Sequence, residues 1–132
     1  MKIQKMKMKD ISRLLELWGK ANLSIENPKK EILEAKKMLL LNPSSCFVVV
    51  DGEEIIGSIF GIFNGRRAWI HHLAVHEKWQ KRGIGKALLL KAEKAFKKLE
   101  ATRINLWVDL QNLKVAPFYE KCGYQACESN SV

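Results

Sequence analysis

The stretch from Cys46 to Val75 limits the fold more than any other part of this chain. Cys46 to Val50 is apolar and β-branched, Asp51-Gly52 is a hairpin-turn signal, and Glu54 to Phe63 reads as a second strand. Asn64-Gly65 marks a second tight turn, and Arg67 to Val75 reads as a third strand. Tight turns of this kind join antiparallel neighbours, so the stretch predicts a three-strand antiparallel meander.

The flanks carry a different period. Lys2 to Met8 mixes basic and apolar residues as a short edge strand would, and Asp10 is placed to cap a helix bearing Ile11, Leu14, Leu15 and Trp18. Asn27-Pro28 is a cap and first-turn signal for a second helix, with Ile32, Leu33, Ala35, Met38 and Leu39 as its apolar stripe. Asn42 to Ser45 is a loop. After the meander, His76 to Arg82 is a loop leading to a helix from about Gly83 to Leu99, with Leu88, Leu89, Ala92, Ala95, Phe96 and Leu99 at helical spacing. Arg103 to Val108 reads as a strand, Leu113 to Lys121 as a helix, and Tyr124 onward as a short tail. Two helices, a meander and a β-α-β-α run predict one mixed α/β domain covering residues 1–132.

No apolar run approaches the ~20 residues that a membrane helix needs; the longest, Phe47 to Val50 and Ala87 to Leu90, are short. The N-terminus does not resemble a signal peptide, and Cys46, Cys122 and Cys127 are an odd count without CxxC spacing. The expectation is a cytoplasmic chain with free thiols and no membrane partner. The 23 Lys and Arg against 14 Asp and Glu give a formal charge of +9, which suits nucleic acid, an anionic membrane or a polyanionic ligand.

The position of the charge narrows that choice. Lys78 to Arg103 holds nine basic residues against Glu93 and Glu100, a net +7, around Gln80-Lys81-Arg82-Gly83-Ile84-Gly85-Lys86. This segment lies where a loop hands over to a helix, whose first turn leaves backbone N–H groups unpaired at the positive end of the dipole. Glycines there let a pyrophosphate approach those donors, and Lys81, Arg82 and Lys86 add charge at the same mouth. A Walker loop is excluded by the spacing and by the missing hydroxyl after the lysine. A Rossmann fingerprint is excluded because seven residues separate Val75 from Gly83 and Leu88 stands at the third glycine's place. The bland reading is two glycines that let a helix start close to a sheet.

Ile70-His71-His72-Leu73-Ala74-Val75, Gln80 to Leu89, and Asn112 with Phe118-Tyr119-Glu120-Lys121-Cys122-Gly123-Tyr124 together resemble the GNAT superfamily of acetyl-CoA-dependent N-acyltransferases. The resemblance runs from about Lys2 to Tyr124 and includes the order of the elements. It implies a mainly antiparallel central sheet flanked by helices, with the strands at Ile70 to Val75 and Asn105 to Val108 splayed to admit acetyl-CoA. It implies that Leu73, Ala74 and Val75 offer backbone hydrogen bonds to the pantetheine arm. Gln80, Lys81, Arg82, Gly83, Ile84, Gly85 and Lys86 would hold the pyrophosphate, and Asn112 would contact the cofactor arm. Tyr119 matches the usual general acid. His71 matches a histidine of the serotonin N-acetyltransferase branch, whereas Trp107 stands where the protein N-terminal acetyltransferase branch often carries a glutamate.

The chemistry agrees with these roles. An amine attacking a thioester needs a base for the ammonium proton, donors for a developing oxyanion and an acid near the leaving thiolate. A tyrosine hydroxyl suits the acid, and an imidazole titrating near 6.5 suits the base. In a regular strand His71 and His72 point to opposite faces, so only one of them, or a water chain instead, serves as base. The bland alternatives are a half-buried Tyr119 packing near Ala116 and satisfied, partly buried histidines. A metal site from His71, His72, His76 and Glu77 is disfavoured, because adjacent strand histidines point apart.

Two departures stand out: Pro117 lies inside the helix that carries Tyr119, and only eight residues follow Tyr124. The family usually closes with two more strands, and Gln125 to Val132 has room for one short one. The expectation is a sheet with an exposed edge or a homodimer in which a partner chain fills it. The predicted activity is transfer of an acetyl group from acetyl-CoA to a primary amine of a small molecule or peptide. A nucleic-acid-binding module is disfavoured for want of aromatic platforms among the basic residues. A non-catalytic acyl-CoA-binding sensor or scaffold stays open, as do Asp109, Glu26 and Glu120 as attractors for a cationic amine.

Overall fold

The computed structural model describes residues 1–23, 25–108 and 110–126. Five strands form one sheet in the order β1-β2-β3-β4-β5, with β1 at Lys2–Lys5, β2 at Cys46–Asp51, β3 at Glu54–Phe63, β4 at Ala68–Val75 and β5 at Ile104–Leu106. The first four strands are antiparallel and β4 pairs with β5 in parallel, so the meander read from the two turns is present. The first turn is centred one residue later than Asp51-Gly52, because Asp51 still pairs with Glu54. In the second turn the Asn64 side chain accepts from the amides of Arg66 and Arg67, both at 2.9 Å, which closes it locally.

Helices α1 (Ile11–Lys20) and α2 (Pro28–Leu41) cover one face, and α3 (Ile84–Lys98) and α4 (Ala116–Lys121) the other. The α1/α2 layer buries Ile11, Leu14, Leu17 and Trp18 against Val48 and Phe60. The α3 layer buries Leu88, Leu89, Ala92 and Phe96 against Ile56 and Ile59. At roughly 1.5–3 kcal/mol for each large apolar side chain taken out of water, the two layers clamp the sheet from both sides.

Several local expectations shift. Asp10 does not cap α1; it ends a 3-10 turn, Met8–Asp10, and its carboxylate accepts from the Lys7 amide at 2.8 Å, one turn earlier. Asn27 does cap α2, accepting from Lys30 N at 3.2 Å, but Leu33 is exposed, since Ile32, Ala35 and Leu39 already define the inward face. The expected Arg103–Val108 strand contracts to Ile104–Leu106, and the expected helix from Leu113 becomes a kinked 3-10 segment, Leu110–Val115, followed by α4. Pro117 sits in the first turn of α4, where its missing N–H costs little. Gln125 and Ala126 are not in a strand; Cys127, Asp109 and the rest of the expected C-terminal strand lie outside the described residues.

Candidate active site

The sheet opens where β4 passes β5. Their pairing runs Ala68 with Ile104, Trp69 with Asn105 and Ile70 with Leu106, and it ends there, while β4 continues to Val75. β4 is irregular just beyond that point. Ser58 lies opposite Ala74 and Phe60 opposite His71, so His72 and Leu73 share the single partner residue Ile59. This bulge puts His72 in a left-handed conformation, φ 49°, and bulges bend their strand and increase its local twist. The splay implied by the family resemblance is therefore present from His71 to Val75.

The bulge also overturns the expectation that His71 and His72 face opposite sides. Phe60 and Ala74 belong to the α1/α2 core, and His71 sits across from Phe60 on that side. The extra residue then returns His72 to the same face, where its ring meets Trp18 edge-on at 4.8 Å and Phe60 at 5.9 Å. Leu73 and Val75 pack on the α3 side, so His71 shares its face with Trp69 and not with Leu73. Beside them, Trp107 stacks on Trp69 at 5.7 Å and 15°, with Trp107 itself 72% exposed. Burial and the neighbouring His72 push the His71 pKa below its ordinary 6.5.

On the α3 side the glycine segment forms a concave turn. Lys81 and Gly83 both take left-handed backbone, φ 65° and 83°, and Gly83 caps α3 without a side chain of its own. Such a turn gathers backbone N–H groups into an anion-binding hollow, and the fifteen-residue helix behind it adds its positive end. Arg82 lies over the Trp79 ring at 5.1 Å, and the side chain of Gln80 donates to the Val75 carbonyl at 2.9 Å, strapping the loop to the end of β4. A hollow of about 220 Å³ adjoins this helix start, between Lys2, Ile3 and Val49 on one side and Arg82, Gly83 and Ile84 on the other.

α4 closes the far wall. A Cβ on Gly85 would lie 3.1 Å from Cζ of Phe118, so the first turn of α3 leaves room for that ring. Tyr119 follows it, half-buried among Phe118 at 5.1 Å and Tyr124 at 6.1 Å. Burial first, then the neighbouring Cys122, push its hydroxyl up to about 12, so it holds its proton at neutral pH. Tyr124 donates to Glu93 at 2.7 Å and ties the chain after α4 to α3; burial and that carboxylate raise its pKa as well. Asn112 is half-buried at the kink before α4, with φ −130° and ψ 35°.

The sheet order, the split between β4 and β5, and the glycine-started helix beside it accompany a match of residues 11–124 to the acetyltransferase (GNAT) family. The chain belongs to the GNAT acetyltransferase family. It is 30% identical over 131 residues to the acetyltransferase SG1711 of Sodalis glossinidius, covering 98% of this chain and 90% of that one. The aminoglycoside antibiotic 6'-N-acetyltransferase AAC(6')-IG from Acinetobacter haemolyticus superposes with a TM-score of 0.82 at 17% identity, over 100% of this chain and 96% of that one. The NatB acetyltransferase complex bound to CoA and MES gives 0.82 at 18% identity, over 97% and 86%. At these identities the two structures share the GNAT fold with this chain.

Within this GNAT fold the residues singled out in the sequence fall on both faces of the sheet, with Ala74 and Ile84 buried in the two cores. Leu73, Val75, Gly83, Gly85 and Tyr119 lie on the α3 side, and His71 lies on the α1/α2 side. His76 is apart from them: it is buried, its Nδ1 accepts from Lys78 N at 3.1 Å, and its Nε2 is 3.6 Å from Glu54. Among the described residues no group of three His, Cys, Asp or Glu is arranged to hold a metal, and no helix is long and apolar enough to cross a membrane. A larger hollow, about 290 Å³ between α1 and the β2–β3 turn, contains none of the nominated residues, and its Lys20 pairs with Glu16 at 3.1 Å and Glu54 at 4.0 Å.

Sequence reasoning missed Glu31, whose carboxylate meets Nε2 of His72, and Ser58, which accepts from Trp18 Nε1 at 3.2 Å and donates to the His72 carbonyl at 3.3 Å. These contacts span 14 to 41 residues of chain, and no local spacing announces them. It missed Phe118 as the partner of Gly85 for the same reason.

Proposed function

We propose that this GNAT acetyltransferase moves the acetyl group of acetyl-CoA to a primary amine of a small molecule or peptide, with both substrates bound and without a covalent enzyme intermediate. The observation that carries the reading is one opening between β4 and β5 with a phosphate-type cradle and a protonated tyrosine on one face and imidazoles on the other. The fit to coenzyme A rests on the left-handed Lys81 and Gly83, on the α3 N-terminus behind them, and on the charges of Lys81, Arg82 and Lys86. Similarity to the NatB complex bound to CoA supports the same choice.

Lys81 to Lys86 hold the phosphates, and the β4 backbone at Leu73 to Val75, with Asn112, lines the path of the arm. Acetyl-CoA supplies an acyl group already activated as a thioester. Tyr119 gives a proton to the departing sulfur, and its elevated pKa keeps the phenol protonated and neutral at pH 7. The amine enters from the α1/α2 side, where the histidines of β4 take its ammonium proton; His71 is the residue nominated by its position in the sequence. Free Cys46 and Cys122 support a reducing, cytoplasmic setting.

The test is a panel of amines, polyamines, aminoglycosides and peptide N-termini assayed by thiol release from acetyl-CoA. Tyr119→Phe is expected to lower kcat by about 100-fold or more while the KM for acetyl-CoA stays within about twofold. Equal losses in both would remove Tyr119 as the acid. Tight coenzyme A binding with no turnover across the panel would replace the enzyme by a sensor.

A further inference from the structure

His72 is held from several sides. It takes left-handed backbone at φ 49° without being glycine, and a non-glycine residue held there points to function when its surroundings over-determine it. They do so here. Trp18 and Phe60 clamp the ring edge-on, Ser58 donates to its backbone carbonyl, and Nε2 faces the carboxylate of Glu31, which lies in the first turn of α2, 41 residues away in sequence. Neither side chain is sealed, with His72 at 24% and Glu31 at 25% exposure. His72 also lies two residues past Ile70, the last residue of β4 paired with β5, and immediately precedes Leu73, where the acyl group is expected.

A base needs a fixed tautomer. When Nε2–H is donated to a carboxylate, the lone pair stands on Nδ1, and the carboxylate stabilises the imidazolium that forms. Glu31 gives His72 that arrangement. His71, by contrast, is held toward its neutral form by burial and by the neighbouring His72.

We infer that His72 is the general base for the acceptor amine and that Glu31 is the residue positioning it. The inference rests on the acetyltransferase reading above and specifies its amine half. The ammonium proton passes to Nδ1 of His72, and the freed nitrogen lone pair forms the C–N bond as the C–S bond breaks. The nitrogen loses its second proton as the amide forms. Of the two protons given up, one balances protonation of the leaving sulfur and the other goes to solvent. Glu31 never touches substrate; it holds the ring and offsets its charge. A consequence is that the start of α2, next to the loop that follows α1, is coupled to the chemistry.

The experiment uses acetyl-CoA with the primary amine of the panel that turns over fastest, and reads kcat and KM by thiol release. His72→Gln is expected to lower kcat by about 100-fold or more, and Glu31→Gln by about 10- to 100-fold, with KM for acetyl-CoA within about twofold in both. His71→Gln falls less than either. Free imidazole partly restores His72→Ala, which a packing role would not allow. Should the His72 variants fail to fold, Glu31→Gln carries the test, since it removes only a charge from a partly exposed side chain. Turnover of Glu31→Gln or of a folded His72→Gln within threefold of wild type, or a larger loss in His71→Gln, overturns the inference and leaves the acetyltransferase standing. A wild type that acetylates nothing overturns both.

Discussion

Gly85→Ala tests the link between the glycine segment and Tyr119. The new Cβ would stand 3.1 Å from Cζ and 3.4 Å from Cε1 of Phe118, and 3.8 Å from Cγ2 of Val75. Carbon pairs prefer roughly 3.5–4.0 Å, so the Phe118 ring must retreat by about 0.5 Å. Two stability effects then oppose each other. Alanine favours the helix by up to about 1 kcal/mol, less in a first turn, and the crowding costs a similar amount. The net change should stay within about 1 kcal/mol, or roughly 3–6 °C in Tm for a chain of this size. Activity should respond more. Phe118 and Tyr119 are neighbours on a helix of six residues, which has little means of absorbing a displacement. Since a misplacement of about 1 Å can cost a hundredfold in rate, half of that should cost about tenfold in kcat. Circular-dichroism melting and thiol-release kinetics measure the two quantities. Phe118→Leu, added to Gly85→Ala, makes room and should recover part of the loss, since residues in contact are non-additive. An unchanged kcat with an unchanged Tm would show that α4 does not depend on this contact, and a drop of more than about 10 °C would show that the ring cannot yield.

Two further outcomes concern the fold. Burial raises the Cys46 thiol from an ordinary 9.0 to about 12, so the unfolded chain sheds this proton first and stability falls as pH rises from 9 toward 12. The full effect is up to roughly 4 kcal/mol; Tyr119 adds to it only above about 10, so urea titrations at pH 8 and 10 should show a smaller decline in Cys46→Ala than in wild type, and parallel declines would refute the assignment. Ser58→Ala strips the buried Trp18 indole of its acceptor and should cost about 1–3 kcal/mol in urea unfolding, whereas a change below about 0.5 kcal/mol would mean that the indole finds another partner.

Much of this was legible in the chain because the signals are local. The Asn64-Gly65 turn closes through the side chain of Asn64 itself, and β3 spans Glu54–Phe63 as read. Gly83 takes the positive φ for which a glycine at a helix start is suited, and the stripe of Leu88, Leu89, Ala92 and Phe96 is buried as its period predicts. Asp10 misled because a 3-10 turn places its carboxylate on the Lys7 amide, an alternative of nearly equal local merit. The helix expected from Leu113 opens as 3-10 turn through Val115 and becomes α-helical at Ala116. The face of His72 was not legible: alternation along a strand holds only while each residue has one partner across the ladder, and the partner strand lies outside the segment being read.

The sequence by itself determined the meander, the glycine-started helix, the concentration of positive charge around it and membership of the GNAT family, since each rests on neighbours a few residues apart or on a motif that survives transfer. Only the tertiary structure decided which side of the sheet each histidine serves, where β4 and β5 part, and that Glu31 meets His72 and Phe118 meets Gly85. Those outcomes depend on one extra residue in a strand and on contacts between segments 30 or more residues apart, which are fixed when the layers pack and are written in no single stretch of the chain.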